Sequence, residues 1–146
     1  MSATPEDLAQ RFQVHTTSDS HFSWIRTRLS VERTMMSWLR TSVSLIGFGF
    51  TIVQFFERLG HMDNIAAALR PQAPRYLGLA LIAAGVAVLL VSMWQYRWML
   101  RYLWSPNFKP LAGIEKGPVN TPLLGAALVM LFIGLFAFFA VLTRAV

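Results

Sequence analysis

Cysteine is absent from the 146 residues, which excludes disulfides, thiolate metal sites and thiol chemistry. Acidic side chains are scarce: seven Asp and Glu face thirteen Lys and Arg, a net charge of +6. No acidic cluster exists to hold a divalent metal, and His15, His21 and His61 stand alone in or near loops. There is no Walker loop, no nucleophile elbow and no histidine pair at ligand spacing. Gly47-Phe48-Gly49 sits in a helical run without the preceding strand that a nucleotide fingerprint needs, so close helix packing is its reading. No enzyme activity, metal or cofactor is therefore expected. The first twenty residues are polar and mixed in charge, without the apolar core that follows the basic start of a secretory leader.

Charge of either sign is also rare. Charged residues are 14% of the chain and hydrophobic ones 55%, against roughly 25% charged in ordinary globular proteins. The charge-free stretches 41–56, 76–96 and 117–143 set the class. At about 1.5 Å per residue the second reaches about 31 Å, the thickness of a hydrocarbon core of about 30 Å. The third is longer. The first covers only about 24 Å, so its helix must borrow Met36, Trp38 and Leu39 or tilt little. The expectation is an all-α membrane protein with three transmembrane helices, spanning about 36–57, 76–98 and 122–143, the first helix extended into the cytoplasm. Residues 1–20 read as a flexible cytoplasmic tail before a three-helix domain over 21–146.

In a soluble protein the positive charge would suggest nucleic acid; here it reads as topology, because Lys and Arg gather on cytoplasmic flanks. Arg26, Arg28, Arg33 and Arg40 precede the first span, and Arg97, Arg101, Lys109 and Lys116 lie between the second and third. Arg58, Arg70, Arg75 and Arg144 fall on the other side. Eight against four places the N-terminus inside and the C-terminus outside. No nucleic-acid partner is expected.

The most specific pattern is a seven-residue step. Arg26, Arg33 and Arg40 follow it, and so do Ser30, Ser37, Ser44 and Thr51. Seven residues fall about 20° short of two helical turns, so these side chains share a sector of about 80°. Guanidiniums facing lipid near the bilayer centre cost roughly 2.5–3.5 kcal/mol each. Such a stripe calls for a wet lumen, acidic partners or the headgroup layer. As an anchor it would hold anionic lipid, at about 1 kcal/mol per Arg. As a pore lining it would face an axis shared by several copies, because three spans leave little room for a private path. Rings of Arg admit anions and reject cations, and Ser30, Ser37 and Ser44 would donate to a partly dehydrated anion.

Beside the stripe, Phe22, Ile25, Leu29, Met36, Leu39 and Val43 follow three- and four-residue steps, the seam of a packed helix. Glu32 interrupts it. A carboxylate there should find a cation: Arg28 one turn earlier, in the weaker orientation, or Arg97 or Arg101 from a neighbouring helix or subunit, unless it is simply exposed. In the second span, Ala80/Ala84 and Ala83/Ala87 are small-residue pairs that permit close approach in lipid. A helical turn is expected at 65–69. Tyr and Trp at 94–104 suit the headgroup level, Pro122 suits a first helical turn, and the Phe-rich third span reads as lipid-facing.

The block Val31-Glu32-Arg33-Thr34-Met35-Met36-Ser37-Trp38-Leu39-Arg40-Thr41, followed by Leu45-Ile46-Gly47-Phe48-Gly49-Phe50, resembles the signature of YidH-type inner-membrane proteins, whose domain has no assigned function. Tyr96-Arg97 and the basic, aromatic run to Arg101 resemble that family's second-helix end. The likeness covers roughly 24–104 and implies a multi-pass protein of a bacterial-type inner membrane. The same domain is similar to the membrane part of the eukaryotic vacuolar transporter chaperone complex. That resemblance implies a pentamer around an arginine-lined polyphosphate path, with Arg26 and Arg33 at basic pore positions, Glu32 as acidic partner and Arg97 a second-helix pore residue. The complex's polymerising and phosphate-sensing domains have no counterpart in this sequence, so synthesis is not implied. The rival reading is a non-transporting scaffold or assembly factor that holds anionic lipid or a membrane-protein partner.

Overall fold

The computed structural model describes residues 14–60, 72–113 and 121–143. Three long helices carry the fold: α1 (Ser18–Gly60), α2 (Gln72–Leu103) and α3 (Pro122–Thr143), with a 3₁₀ turn at Lys109–Ala112 between the last two. Each is long and apolar enough to cross a membrane. The all-α, three-span expectation holds. The turn expected at 65–69 lies outside the described residues.

The ends follow from local chemistry. α1 starts at Ser18, inside what reads as tail, because Thr17 and Ser20 cap each other. Thr17 Oγ1 accepts the Ser20 N–H at 3.2 Å, and Ser20 Oγ accepts the Thr17 N–H at 2.9 Å. This reciprocal arrangement satisfies donors that a helix start leaves open, and Asp19 in the first turn complements the macrodipole. α2 begins before Pro74 because a first-turn proline lacks only an N–H that would have no partner there. It runs past the span to Leu103, as the aromatic run suggests. Pro122 opens α3.

The α1–α2 hairpin is the framework, and glycine sets its spacing. A Cβ on Gly49 would lie 2.6 Å from the Gly78 carbonyl oxygen, and one on Gly85 would lie 2.9 Å from that of Ser42. With no hydrophobic drive between helices in lipid, such backbone approach is a main source of association. α3 joins through Ala127, Gly134 and Val141, its buried residues, again seven apart. Its Phe132, Phe136 and Phe139 are exposed, as a lipid-facing helix requires.

The packed face of α1 differs from the expected seam. Trp24, Met35, Ser42, Ile46, Gly49 and Val53 are buried, whereas Phe22, Leu29, Met36 and Val43 are exposed. The Ala pairs of α2 are likewise exposed; the glycines make the close contacts within the chain. On the side where α1 begins, residues 104–113 fold back over it. Trp24 Nε1 donates to the Leu103 carbonyl at 3.1 Å, and its ring meets Trp104 edge-on with centroids 5.3 Å apart. His21 Nδ1 contacts the Leu111 carbonyl, and Gly113 turns the chain at φ 67°.

Candidate anion-contact face

The stripe lies on the exposed side of α1, with Arg26 and Ser30 also bordering the groove towards α2. Arg26, Ser30, Arg33, Ser37, Arg40, Ser44 and Thr51 are all exposed. Taking Arg26 as zero, the stripe spans about ±40°, and the buried set from Trp24 to Val53 centres about 170° away. α1 is therefore held by its back, and its polar face is left for something outside the chain. Among the described residues, no carboxylate of the chain pairs with Arg26, Arg33 or Arg40.

Three further side chains lie on this face: Arg58, seven residues beyond Thr51 and so the next step of the hydroxyl series, and Phe48 and Phe55. Arg58 follows Arg40 by eighteen residues, five turns of about 3.6, so it returns to the same angle; it is exposed. Phe48 and Phe55, 70% and 56% exposed, fall within about 40° of the stripe centre. The signal was available in the helical angle. Apolar side chains in a span attract no notice, and Arg58 reads as a span terminus.

The hydroxyls divide into two kinds. Ser44 donates to the Arg40 carbonyl at 2.9 Å and Thr51 to the Gly47 carbonyl at 2.8 Å. Each hydroxyl has one proton, and these two are committed to the helix backbone. In this conformation the Ser44 hydroxyl proton is turned to the backbone. Ser30 and Ser37 make no such bond; their carbonyls instead accept from Thr34 and Thr41. The donors available to an anion thus lie at the N-terminal half of the stripe, among the arginines.

Glu32 pairs with Arg28, Oε1 to Nε at 3.4 Å. The Arg28 guanidinium also lies 5.9 Å from the centroid of the Trp24 ring. The local pair is the one formed within the chain; Arg97 and Arg101 are exposed and do not take that role here. Arg97 is exposed on α2. Beside it, Tyr96 is buried and its hydroxyl meets Thr121 Oγ1 at 3.0 Å, tying α2 to the start of α3. Among the described residues no group of three His, Asp or Glu could hold a metal ion.

On the Thr27 side of α1, a groove of about 510 Å³ opens between α1 and α2. Arg26, Thr27, Ser30 and Thr34 line one wall, Ser92, Gln95, Tyr96 and Met99 the other, and Met35 and Trp38 lie among them.

No curated protein and no solved structure matches the chain. The family described as Domain of unknown function (DUF202) matches residues 23–102, which take in the arginine stripe, both glycine contacts of the hairpin and the end of α2. The chain belongs to the DUF202 family.

Proposed function

We propose that copies of this chain assemble in a bacterial-type inner membrane, N-terminus in the cytoplasm, so that the α1 stripes line an anion-selective path. One observation supports the reading: every stripe residue is exposed, on the side of α1 opposite its buried face. Arg26, Arg33 and Arg40 then stack at intervals of about 10 Å, and charge rings of this kind concentrate anions and repel cations. Ser30 and Ser37 add donors at the same level. The permeant class is phosphate or a polyphosphate-like chain, whose repeated charges match a repeated cation ladder. Five copies follow from the likeness to the vacuolar transporter chaperone membrane domain. Between Arg40 and Arg58, Phe48 and Phe55 form the narrow, dewetting part of the bore.

Anion efflux from proteoliposomes tests this. Wild type should release phosphate or short polyphosphate faster than potassium, and Arg33→Ala should lose that preference at unchanged assembly. Equal leak in both proteins would refute conduction. It would leave the rival in which the same guanidiniums hold lipid phosphates in a scaffold.

A further inference from the structure

The α1–α2 hairpin is tied at three heights. Gly49 meets Gly78, Ser42 meets Gly85, and Trp24 donates to the Leu103 carbonyl. In this antiparallel register Ser30 lies level with Arg97, Glu32 with Gln95 and Met35 with Ser92. From Ser42 to Trp24 is about 27 Å of helix, and neither helix carries a glycine between those two ties. Without glycine the backbones stay further apart. The gap left there is the groove of about 510 Å³, and no residue of α3 lines it.

The polar groups of the groove divide by height. The Thr27, Thr34 and Ser92 hydroxyls donate to the Ser23, Ser30 and Leu89 carbonyls, and the Tyr96 hydroxyl meets Thr121. Among the described residues, the donors on its walls without a partner are Arg26, Ser30, Gln95 and the Trp38 indole. The first three fall within about 9 Å of helix height, beside Tyr96, where the second charge-free stretch ends. Further in, Met35 and the Trp38 ring carry the groove about 9 Å deeper along apolar surface. Arg26 is the one charge on the walls. The carboxylate at that height, Glu32, is held by Arg28 at 3.4 Å. Arg97 and Arg101, exposed on α2 at the heights of Ser30 and Arg26, keep the surroundings positive.

A ligand matched to this groove is anionic at its outer end and apolar at its inner end. We propose that the groove seats one anionic glycerophospholipid, its phosphate on Arg26, Ser30 and Gln95 and the start of an acyl chain along Met35 and Trp38. Guanidinium-to-phosphate hydrogen bonds are charge-assisted and strong, and the other two donors complete a fork around the same oxygens. A free phosphate would use the outer end alone. Arg26 and Ser30 then serve the lipid, and the stripe presents Arg33, Ser37 and Arg40 beyond them. The seat needs one copy only, so it stands or falls apart from the anion path.

Native mass spectrometry of the full chain, released from vesicles of equal phosphatidylglycerol and phosphatidylcholine, tests the seat. Wild type should retain one lipid per chain and favour phosphatidylglycerol by at least about fivefold, the worth of one Arg against an anionic headgroup. Arg26→Gln should bring that ratio within about twofold of unity. Arg33→Gln, on the stripe but not on the groove walls, should keep it. Thr34→Phe fills the groove without changing charge and should release both lipids. Should that ring disturb folding, Gln95→Leu carries the test from the α2 wall by lowering phosphatidylglycerol retention. Equal retention of the two lipids by wild type would overturn the proposal. So would equal losses in Arg33→Gln and Arg26→Gln, which would mean diffuse attraction to the whole stripe. Displacement of the lipid by added inorganic phosphate would overturn it in favour of a water-soluble anion.

Discussion

Gly47 and Gly49 make a matched pair, because they share a helix, a residue type and a membrane depth. A Cβ at Gly47 meets nothing within 4 Å. At Gly49 it would lie 2.6 Å from the Gly78 carbonyl oxygen, 2.9 Å from Ile82 Cγ1 and 3.0 Å from Leu81 Cβ. The first of these is backbone, so relief requires α1 and α2 to separate. Alanine gains about 0.8–1.0 kcal/mol of helix propensity over glycine at either position. Overpacking a close contact costs about 1–3 kcal/mol. The propensity term cancels between the two variants, and their difference isolates the clash. Gly49→Ala should thus be about 1–3 kcal/mol less stable than Gly47→Ala, a factor of roughly 5 to 150 in the folded ratio. Gly47→Ala should match or exceed wild type. Equilibrium unfolding in mixed micelles, followed by tryptophan fluorescence, measures all three. A Gly49→Ala protein as stable as Gly47→Ala would mean that the hairpin is not set by this approach, and that the outward stripe has lost its structural basis.

Other perturbations carry their own signs. Trp24→Ala removes a buried ring and its bond to the Leu103 carbonyl, at about 3–5 kcal/mol for a buried Trp; amide exchange over 104–113 should accelerate while the spans stay protected. Tyr96→Phe strands the buried Thr121 hydroxyl at about 1–3 kcal/mol, and Tyr96→Phe with Thr121→Val should recover much of that loss in the same unfolding assay. Phe55→Ala should raise anion efflux from proteoliposomes without changing anion preference, whereas no change would remove the aromatic constriction from the bore. Ser44→Ala should leave efflux within about twofold of wild type, since its proton already serves the Arg40 carbonyl and only about 1 kcal/mol of neutral hydrogen bonding is at stake.

The features legible in the sequence are those whose physics is one-dimensional. Charge-free length gives three spans, a first-turn proline gives the start of α3, and arginines in a lipid segment stand out because they are expensive there. The packed face of α1 was not legible by hydrophobicity. Phe22, Leu29 and Met36 look like a core seam and are exposed, while Ser42 and Gly49 are buried. Lipid tails are as apolar as leucine, so within a span apolarity does not separate inside from outside; small residues and close fit do. Even the small-residue rule needs a partner to choose among candidates, and here Gly49, Gly78 and Gly85 serve where the Ala pairs of α2 do not. Glu32 illustrates the same limit in charge, since Arg28 one turn earlier competed with Arg97 or Arg101 of a neighbouring helix or subunit, and within the chain the local one, Arg28, takes the bond.

The angular coincidence of Arg40 and Arg58 constrains how an anion could cross. Eighteen residues separate them, about 27 Å of helix, close to the hydrocarbon thickness of about 30 Å. Between them the stripe offers only Ser44 and Thr51, whose protons are turned to the backbone, and Phe48 and Phe55. None of these four side chains offers a free donor to replace the hydration shell of a phosphate, and moving an unscreened charge through a dry segment costs many kcal/mol. In the proposed path the arginines at 26, 33 and 40 would therefore act as a vestibule that raises local anion concentration at one mouth, with Arg58 marking the other. Passage between them would depend on water filling the bore past the two phenylalanines. On that proposal selectivity is set at the mouth and rate at the aromatic constriction, so the two should respond to different mutations.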